Sequence, residues 1–413
     1  MHWPTLNKGQ LFTDLWRGTM KSYGADKDRS SWIWRVLTGK TWESHGTTVA
    51  MSTTYIPSSF DRPPRNIAQK INSGYKACEY ALWIYGLAPA LLRDILPRAH
   101  WINFCKYVAG MKILLSTSIK REDVDHAEVL LCEFVKGFEE LYYQRNADRL
   151  HFVRQTIHWT TETLIGNTGE EIHSDKDPYS NASQRYILRA TTNALNVMYP
   201  QIKLTTPEAT RTTNSFDLGD GFSFIPRHEL TSTPVSDLEA QAILSYLHEN
   251  VEGNHDRWSR TVTRWAKLRL PNGQMARSTW HEERSNQKVR IARMVKIIDQ
   301  GETYVGEIRY FFYFREEVTN HVHPLCVVSL FSPPDQELLK LSEHTVYLAQ
   351  HQGDQALRVF NAKKIDSVVA MVPDFRAQSD GSVDVIDGQY FLVEKPYKKL
   401  RTLSGELEED SND

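Results

Sequence analysis

The sequence predicts an α+β protein in two parts, a mostly helical N-terminal half and a β-rich C-terminal domain. Three observations predict it. Apolar residues recur at three- and four-residue steps through much of 68–200. After a threonine-rich break the pattern changes to alternation. Asn272-Gly273 then stands between two alternating runs, the strongest short-range hairpin signal.

Residues 1–65 are mixed. Pro63-Pro64 bars helix there, and Asn66 is placed to cap the next one. The stretch "AQKINSGYKACEYALWIYG" reads as a helix ending at Gly86, and Pro89 opens another through "ALLRDIL" before Pro97. In "REDVDHAEVLLCEFVKGFEELYYQRN" the residues Val124, Ala127, Leu131, Phe134, Phe138 and Leu141 fall on one helical face. Glu122 and Asp123 suit the start of its dipole. Helix is also expected at 148–157 and in "NASQRYILRATTNALNVMY".

The segment "TTPEATRTT" holds five Thr, one Pro and no large apolar side chain, so a linker is expected at 201–218. Beyond it, Ser236 and Glu239 have capping-box spacing ahead of "LEAQAILSYLHEN". The rest of 219–400 alternates like strands, about eight of them, enough for a small barrel or sandwich. An SH3-like or BAH-like open barrel is the expected form. The acidic tail at 401–413 is expected to be disordered.

Composition narrows the function. A net charge of -2 gives no overall attraction to nucleic acid or acidic membrane, so such binding requires a local patch. Cys78, Cys105, Cys132 and Cys326 are too scattered for a disulfide framework or a CxxC knuckle. No apolar run approaches the roughly 18–20 residues of a membrane helix, and "MHWPTLNKGQLF" lacks the order of a signal peptide. An intracellular protein with no membrane partner is expected.

One patch stands out. Residues 257–296 carry Arg257, Arg260, Arg264, Lys267, Arg269, Arg277, Arg284, Lys288, Arg290, Arg293 and Lys296 against only Glu282 and Glu283. Trp258, Trp265 and Trp280 are interleaved. Basic side chains neutralise phosphates and aromatics stack on unpaired bases, so this segment is the candidate contact for double-stranded DNA. On the first hairpin strand Trp265, Lys267 and Arg269 alternate with Ala266, Leu268 and Leu270, which predicts one basic and one buried face. The bland alternative is a solvated strand face paired with acids elsewhere in the chain.

Weaker candidates have simpler readings beside them. His321, His323 and Cys326 offer zinc ligands without a fourth, and otherwise form a strand leading to a buried thiol. His248 and His255, with Glu249 and Asp256, flank a turn. "LGDGF" has too few glycines for a phosphate loop. Lys398, Lys399 and Arg401 are a nuclear-import candidate or simply a charged tail.

Long stretches carry a family likeness. "FDRPPRNIAQKINSGYKACEY", "EFVKGFEELYYQRNADRLHFVRQTIH", "ETLIGNTGEEI" and "LRLPNGQMARSTW" resemble the C-terminal part of fungal CACTA (En/Spm-type) transposases and their KDZ relatives. The resemblance implies a DDE transposase acting in the nucleus. Its RNase H-like core would carry a helical insertion, with two aspartates and a late glutamate holding two divalent metals, typically Mg²⁺. Trp159, Glu162, Ile165, Gly166, Asn167 and Gly169 match the family's glutamate pattern, which makes Glu162 the candidate catalytic and metal-binding leg.

The chain departs from that family in three places. It begins at Met1-His2, where the family has an aspartate shortly before such a pair. It lacks the stretch that relatives carry between the counterparts of His158 and Trp159. Thr168 replaces a leucine.

Two magnesium ions need several anionic oxygens at near-octahedral geometry, which one carboxylate does not supply. The expectation is therefore a truncated, catalytically inactive transposon-derived protein, residues 1–200 being the core remnant, with DNA binding through 257–296. One alternative is a transposase or nuclease whose aspartates come from a partner chain. Another is a chromatin or protein-interaction module.

Overall fold

The computed structural model describes residues 7–60, 62–116, 121–153, 215–284, 290–316 and 319–396. It is α+β, with helices in the N-terminal half and antiparallel sheets in the C-terminal half. The main helices are α1 (Lys8–Arg17), α2 (Gly39–Met51), α3 (Arg98–Leu114), α4 (Arg121–Phe138), α5 (Asp237–Asn250) and α6 (Gln336–Leu341). Among the described residues no helix is long and apolar enough to cross a membrane.

Local rules account for many of these elements. Asn66 accepts from Gln69 N and caps a short helix, Ile67–Lys70. That helix does not run on to Gly86 as the pattern predicts. Gly74, at φ 70°, breaks it, and helix resumes at Ala77–Leu82, passing through a π turn, Trp83–Leu87, into Ala88–Leu91. Gly86 is not a terminator. A Cβ there would lie 2.7 Å from Val393 Cγ1, so the glycine serves a close approach to the C-terminal sheet.

In α4 the expected face holds, with Ala127, Leu131, Phe134 and Phe138 buried, while Val124 in the first turns is exposed. Helix α3 has no one-sided pattern because most of its surface is covered, including Trp101, Phe104, Tyr107 and Met111. The helix expected at 148–157 is instead a 3-10 turn, Ala147–Phe152, within the described residues. The second expected helix, 181–199, and the acidic tail lie outside them, as does the expected linker up to residue 214. Its last residues are not linker, because Phe216–Gly219 already forms a strand paired in the large sheet.

The strands are β1 (Phe216–Gly219), β2 (Phe222–His228), β3 (Thr233–Pro234), β4 (Thr261–Val262), β5 (Trp265–Arg269), β6 (Met275–Arg277) and β7 (Met294–Asp299). They continue as β8 (Glu302–Arg315), β9 (Val322–Leu330), β10 (Leu348–Gln350), β11 (Leu357–Asn361), β12 (Ile365–Val368), β13 (Ala370–Ala377) and β14 (Val383–Val393). The main sheet has nine strands and runs β1-β2-β5-β8-β7-β12, with β9 and β11 added on the far side of β8 and β6 beside β5. Long β8 serves both edges: it pairs with β9 along Gly306–Arg315, and on its other edge with β7 and, at Phe311, with β5.

The turn at Asn272-Gly273 forms as predicted, with Gly273 at φ 81° and Arg269 opposite Met275. The Ser236–Glu239 capping box also forms, each side chain bonded to the other's backbone N–H. Strand β12 returns to pair with β7, and a 3-10 turn, Ala362–Lys364, links it to β11. No ladder joins β11 to β12 among the described residues, so the sheet does not close into a barrel. Strands β10-β14-β13 make a separate sheet.

The largest apolar cluster draws from both halves. Trp16, Trp34, Trp83, Phe104 and Phe134 share it with Val346, Ala370, Val372, Phe375, Phe391 and Val393. The small sheet is thus part of the helical half's core. A second cluster fills the inside of the large sheet through Phe224, Leu268, Val295, Ile308, Phe311 and Phe360. On the outer face, Ile243 and Leu247 of α5 pack over Tyr310, Phe312, Leu325 and Val359.

Candidate functional site

Glu162, with Trp159, Ile165, Gly166, Asn167 and Gly169, lies outside the described residues, as does Lys288. Among the described residues no group of three or more His, Cys, Asp or Glu is placed to hold a metal ion. The zinc reading of His321, His323 and Cys326 meets strand geometry. Cys326 faces the inner cluster and its Sγ donates to Phe360 O at 3.6 Å, whereas the rings of His321 and His323 lie together, 4.6 Å apart, with His323 on the opposite strand face. Burial pushes the Cys326 thiol up, which suits a buried thiol.

The basic segment is mostly tied into the fold. Arg264 lies 3.3 Å from Glu229 and stacks over the Tyr310 ring at 4.8 Å. Arg293 is held between Glu282, at 2.8 Å, and Glu307. Lys296 meets Glu394 at 2.8 Å, and exposed Arg260 lies 3.6 Å from Asp237. Arg284 rests on Trp280 at 4.8 Å.

Two expectations for DNA contact change accordingly. Arg264 and Arg293 are structural cations with carboxylates already in place. Trp265 is buried, stacked on Phe224 at 5.5 Å with Phe216 at 6.2 Å, so no ring face is open to a base. It departs from the exposed side of the alternation, and a register shift in β2, between Ile225 and His228, lies beside it.

Lys267, Arg269 and Arg277 stand together on the β5–β6 hairpin. Lys267 stands directly opposite Arg277 across the β5–β6 ladder, and Arg269 follows on the same face. Ala266, Leu268 and Leu270 are buried behind them, as alternation predicts. Arg257 is exposed on the loop before β4, and Arg290 is half-buried ahead of β7.

A buried polar network lies at the middle of β8. Burial alone would raise the Glu307 carboxyl, but a hydrogen bond with His351 and the charge and hydrogen bond of Arg293 bring it down to about 2. Ser329, His351 and Glu307 have the residue types of a nucleophilic triad without its geometry. A triad puts the nucleophile and the carboxylate on different ring nitrogens. Here Ser329 Oγ and Glu307 Oε2 both meet His351 Nε2, each at 3.3 Å, and the buried serine donates to Gly353 O at 2.6 Å. The network joins β8, β9 and the segment after β10.

A groove of about 450 Å³ runs between α5 and β11 and ends at the β7–β8 turn. Leu238, Ala242, Tyr246, Leu357 and Val359 supply its apolar lining, and Glu249, Asp299, Asp354 and Arg358 its charges. No sequence motif marks it, because a helix and two later chain segments, from Leu238 to Val359, meet there only in the fold. No protein-family model, curated protein or solved structure matches the chain.

Proposed function

We propose that this chain is a transposon-derived protein without catalysis of its own, and that its β-rich half is an interaction module of SH3-like or BAH-like organisation that docks a protein segment. The observation that carries the reading is the strand order β12-β7-β8-β9-β11. Five strands follow one another around the inner cluster, the last returns to the first, and a 3-10 turn, Ala362–Lys364, precedes it. That is the connectivity expected of an SH3-like barrel, left open between β11 and β12. The consumption of Arg264, Arg293 and Lys296 in internal ion pairs also favours a protein partner over a polyanion. On this reading the protein acts in the nucleus.

A second reading, contact with duplex DNA, is favoured by the shared face of Lys267, Arg269 and Arg277. The two separate in one pair of measurements on the full chain. Peptide-array binding that persists at about 200 mM salt, with weak duplex binding, supports the interaction module. Duplex affinity that falls by orders of magnitude between about 50 and 200 mM salt, and vanishes in Lys267→Glu/Arg269→Glu, would replace it with the DNA reading.

A further inference from the structure

We infer that the groove between α5 and β11 takes a short, extended, basic peptide of a partner protein, which adds as a strand to the open edge of β11. This rests on the interaction-module reading and assigns its binding site.

The backbone sets the mode. Strand β11 pairs with β9 along Leu357–Asn361, and among the described residues no strand pairs with its other edge. An open edge presents a row of N–H and C=O groups, the template used in recognition by strand addition. Five residues at about 3.3 Å each give a ladder of roughly 17 Å, so the matching ligand segment is short. Helix α5 lies on the outer face of the sheet through Ile243 and Leu247 and forms the opposite wall. It covers the face of the sheet, and among the described residues the border of β11 stays unpaired.

The side chains set the chemistry. Exposed Leu238 sits on the wall of the groove, and exposed Ile298 stands in β7 beside the Asp299-Gln300 end. These suit the alternate apolar side chains of an added strand. Three carboxylates line the groove: Glu249, Asp299 and Asp354. Among the described residues the one lining cation is Arg358, which is turned onto the rings of Tyr304 and Phe360, at 4.9 and 5.0 Å.

Asp354 is paired with Arg309, and Asp299 with Lys364 at 3.5 Å. Both pairs have a half-exposed partner, Asp354 or Lys364, and exposed pairs of this kind contribute little to stability. A ligand lysine or arginine can exchange into them, while Glu249 at the rim offers another carboxylate. An acidic peptide would meet like charge at Glu249 and would have to displace Asp354 or Asp299 from its cation, and this selects the basic partner.

The test uses the full chain and three fluorescent ten-residue peptides. One alternates valine with lysine, one alternates valine with glutamate, and the third is the basic peptide N-methylated at alternate residues. Expected are at least tenfold tighter binding of the basic peptide than the acidic one, and at least tenfold loss on N-methylation. Ser245→Trp, an exposed helix position that fills the groove, should abolish binding, and Glu249→Lys should weaken it about fivefold, both with unchanged thermal midpoints.

Equal binding of basic and acidic peptides, or binding untouched by Ser245→Trp, overturns the proposal. If other peptides bind and Ser245→Trp leaves them bound, the groove assignment falls while the interaction module stands. If no peptide binds at all, both fall. A concentration-dependent dimer abolished by Ser245→Trp, without peptide binding, would assign the groove to a second copy and likewise overturn the proposal.

Discussion

The side-chain amide of Gln274 grips the backbone of Val368 from both sides. Its Oε1 accepts from Val368 N at 3.0 Å and its Nε2 donates to Val368 O at 3.3 Å. The two residues are 94 apart in the chain. The amide thus takes the place of a strand residue beside β12 and ties the β5–β6 turn to the far end of the large sheet. Asn272 adds a bond to Asp366 O at 3.2 Å.

Replacing Gln274 by leucine keeps the bulk but leaves the N–H and C=O of buried Val368 without that partner. An unsatisfied buried group costs about 1–3 kcal/mol. The expected result is an unfolding free energy lowered by about that amount, read as a lower urea midpoint with an unchanged slope. A midpoint equal to wild type would mean that water replaces the amide without loss.

Acid should act through Glu307. Its carboxyl is brought from an ordinary 4.5 to about 2, so the folded state binds fewer protons than the unfolded state between those values. The stabilisation is fully present above about pH 4.5 and is lost as pH falls toward 2, by about 3 kcal/mol in all. Unfolding free energies of wild type and Glu307→Gln between pH 2 and 5 check this. The difference between the two should shrink as pH falls, and a constant difference would refute the coupling.

Arg149 and Asp26 form a buried ion pair at 2.7 Å, with side chains 5% and 3% exposed. Arg149 also lies over the Trp34 ring at 5.1 Å. Burial alone would raise the Asp26 carboxyl, but hydrogen bonds from Arg149 and Trp32 and the Arg149 charge hold it below the usual range. Arg149→Met strands the carboxylate and should destabilise by about 3–5 kcal/mol. Asp26→Asn/Arg149→Met should recover part of that loss, and strictly additive effects would show that the pair is not coupled.

Helices α3 and α4 pack closely because Gly110 has no side chain. A Cβ there would stand 2.7 Å from Leu131 Cγ. Gly110→Ala gains helix propensity yet should still destabilise by about 1–3 kcal/mol, since Leu131 and its helix must move. A thermal midpoint at or above that of wild type would show that the interface relaxes freely.

Several features were legible from short stretches. Ser236 and Glu239 start α5 through contacts three residues apart. Asn272-Gly273 turns the β5–β6 hairpin because glycine tolerates its positive φ. The three- and four-residue steps of Ala127, Leu131, Phe134 and Phe138 fixed which side of α4 is buried. The pattern failed at Gly86, where helix continues, because the reason for that glycine is Val393, far along the chain.

The candidate site was the least legible part. The basic run at 257–296 is plain in the sequence, but Arg264 finds Glu229 35 residues away and Lys296 finds Glu394 98 residues away. Charge composition alone could not separate an open patch from an internally neutralised one.

By itself, then, the sequence determined the α+β class, the order of many elements and the alternation that buries Ala266, Leu268 and Leu270, since period, caps and turn residues act over a few positions. Only the tertiary structure decided that β12 returns to β7, that β13 and β14 complete the helical core, and that α5 and β11 enclose a groove. Those outcomes depend on which distant surfaces exclude water together, and no local spacing encodes that choice.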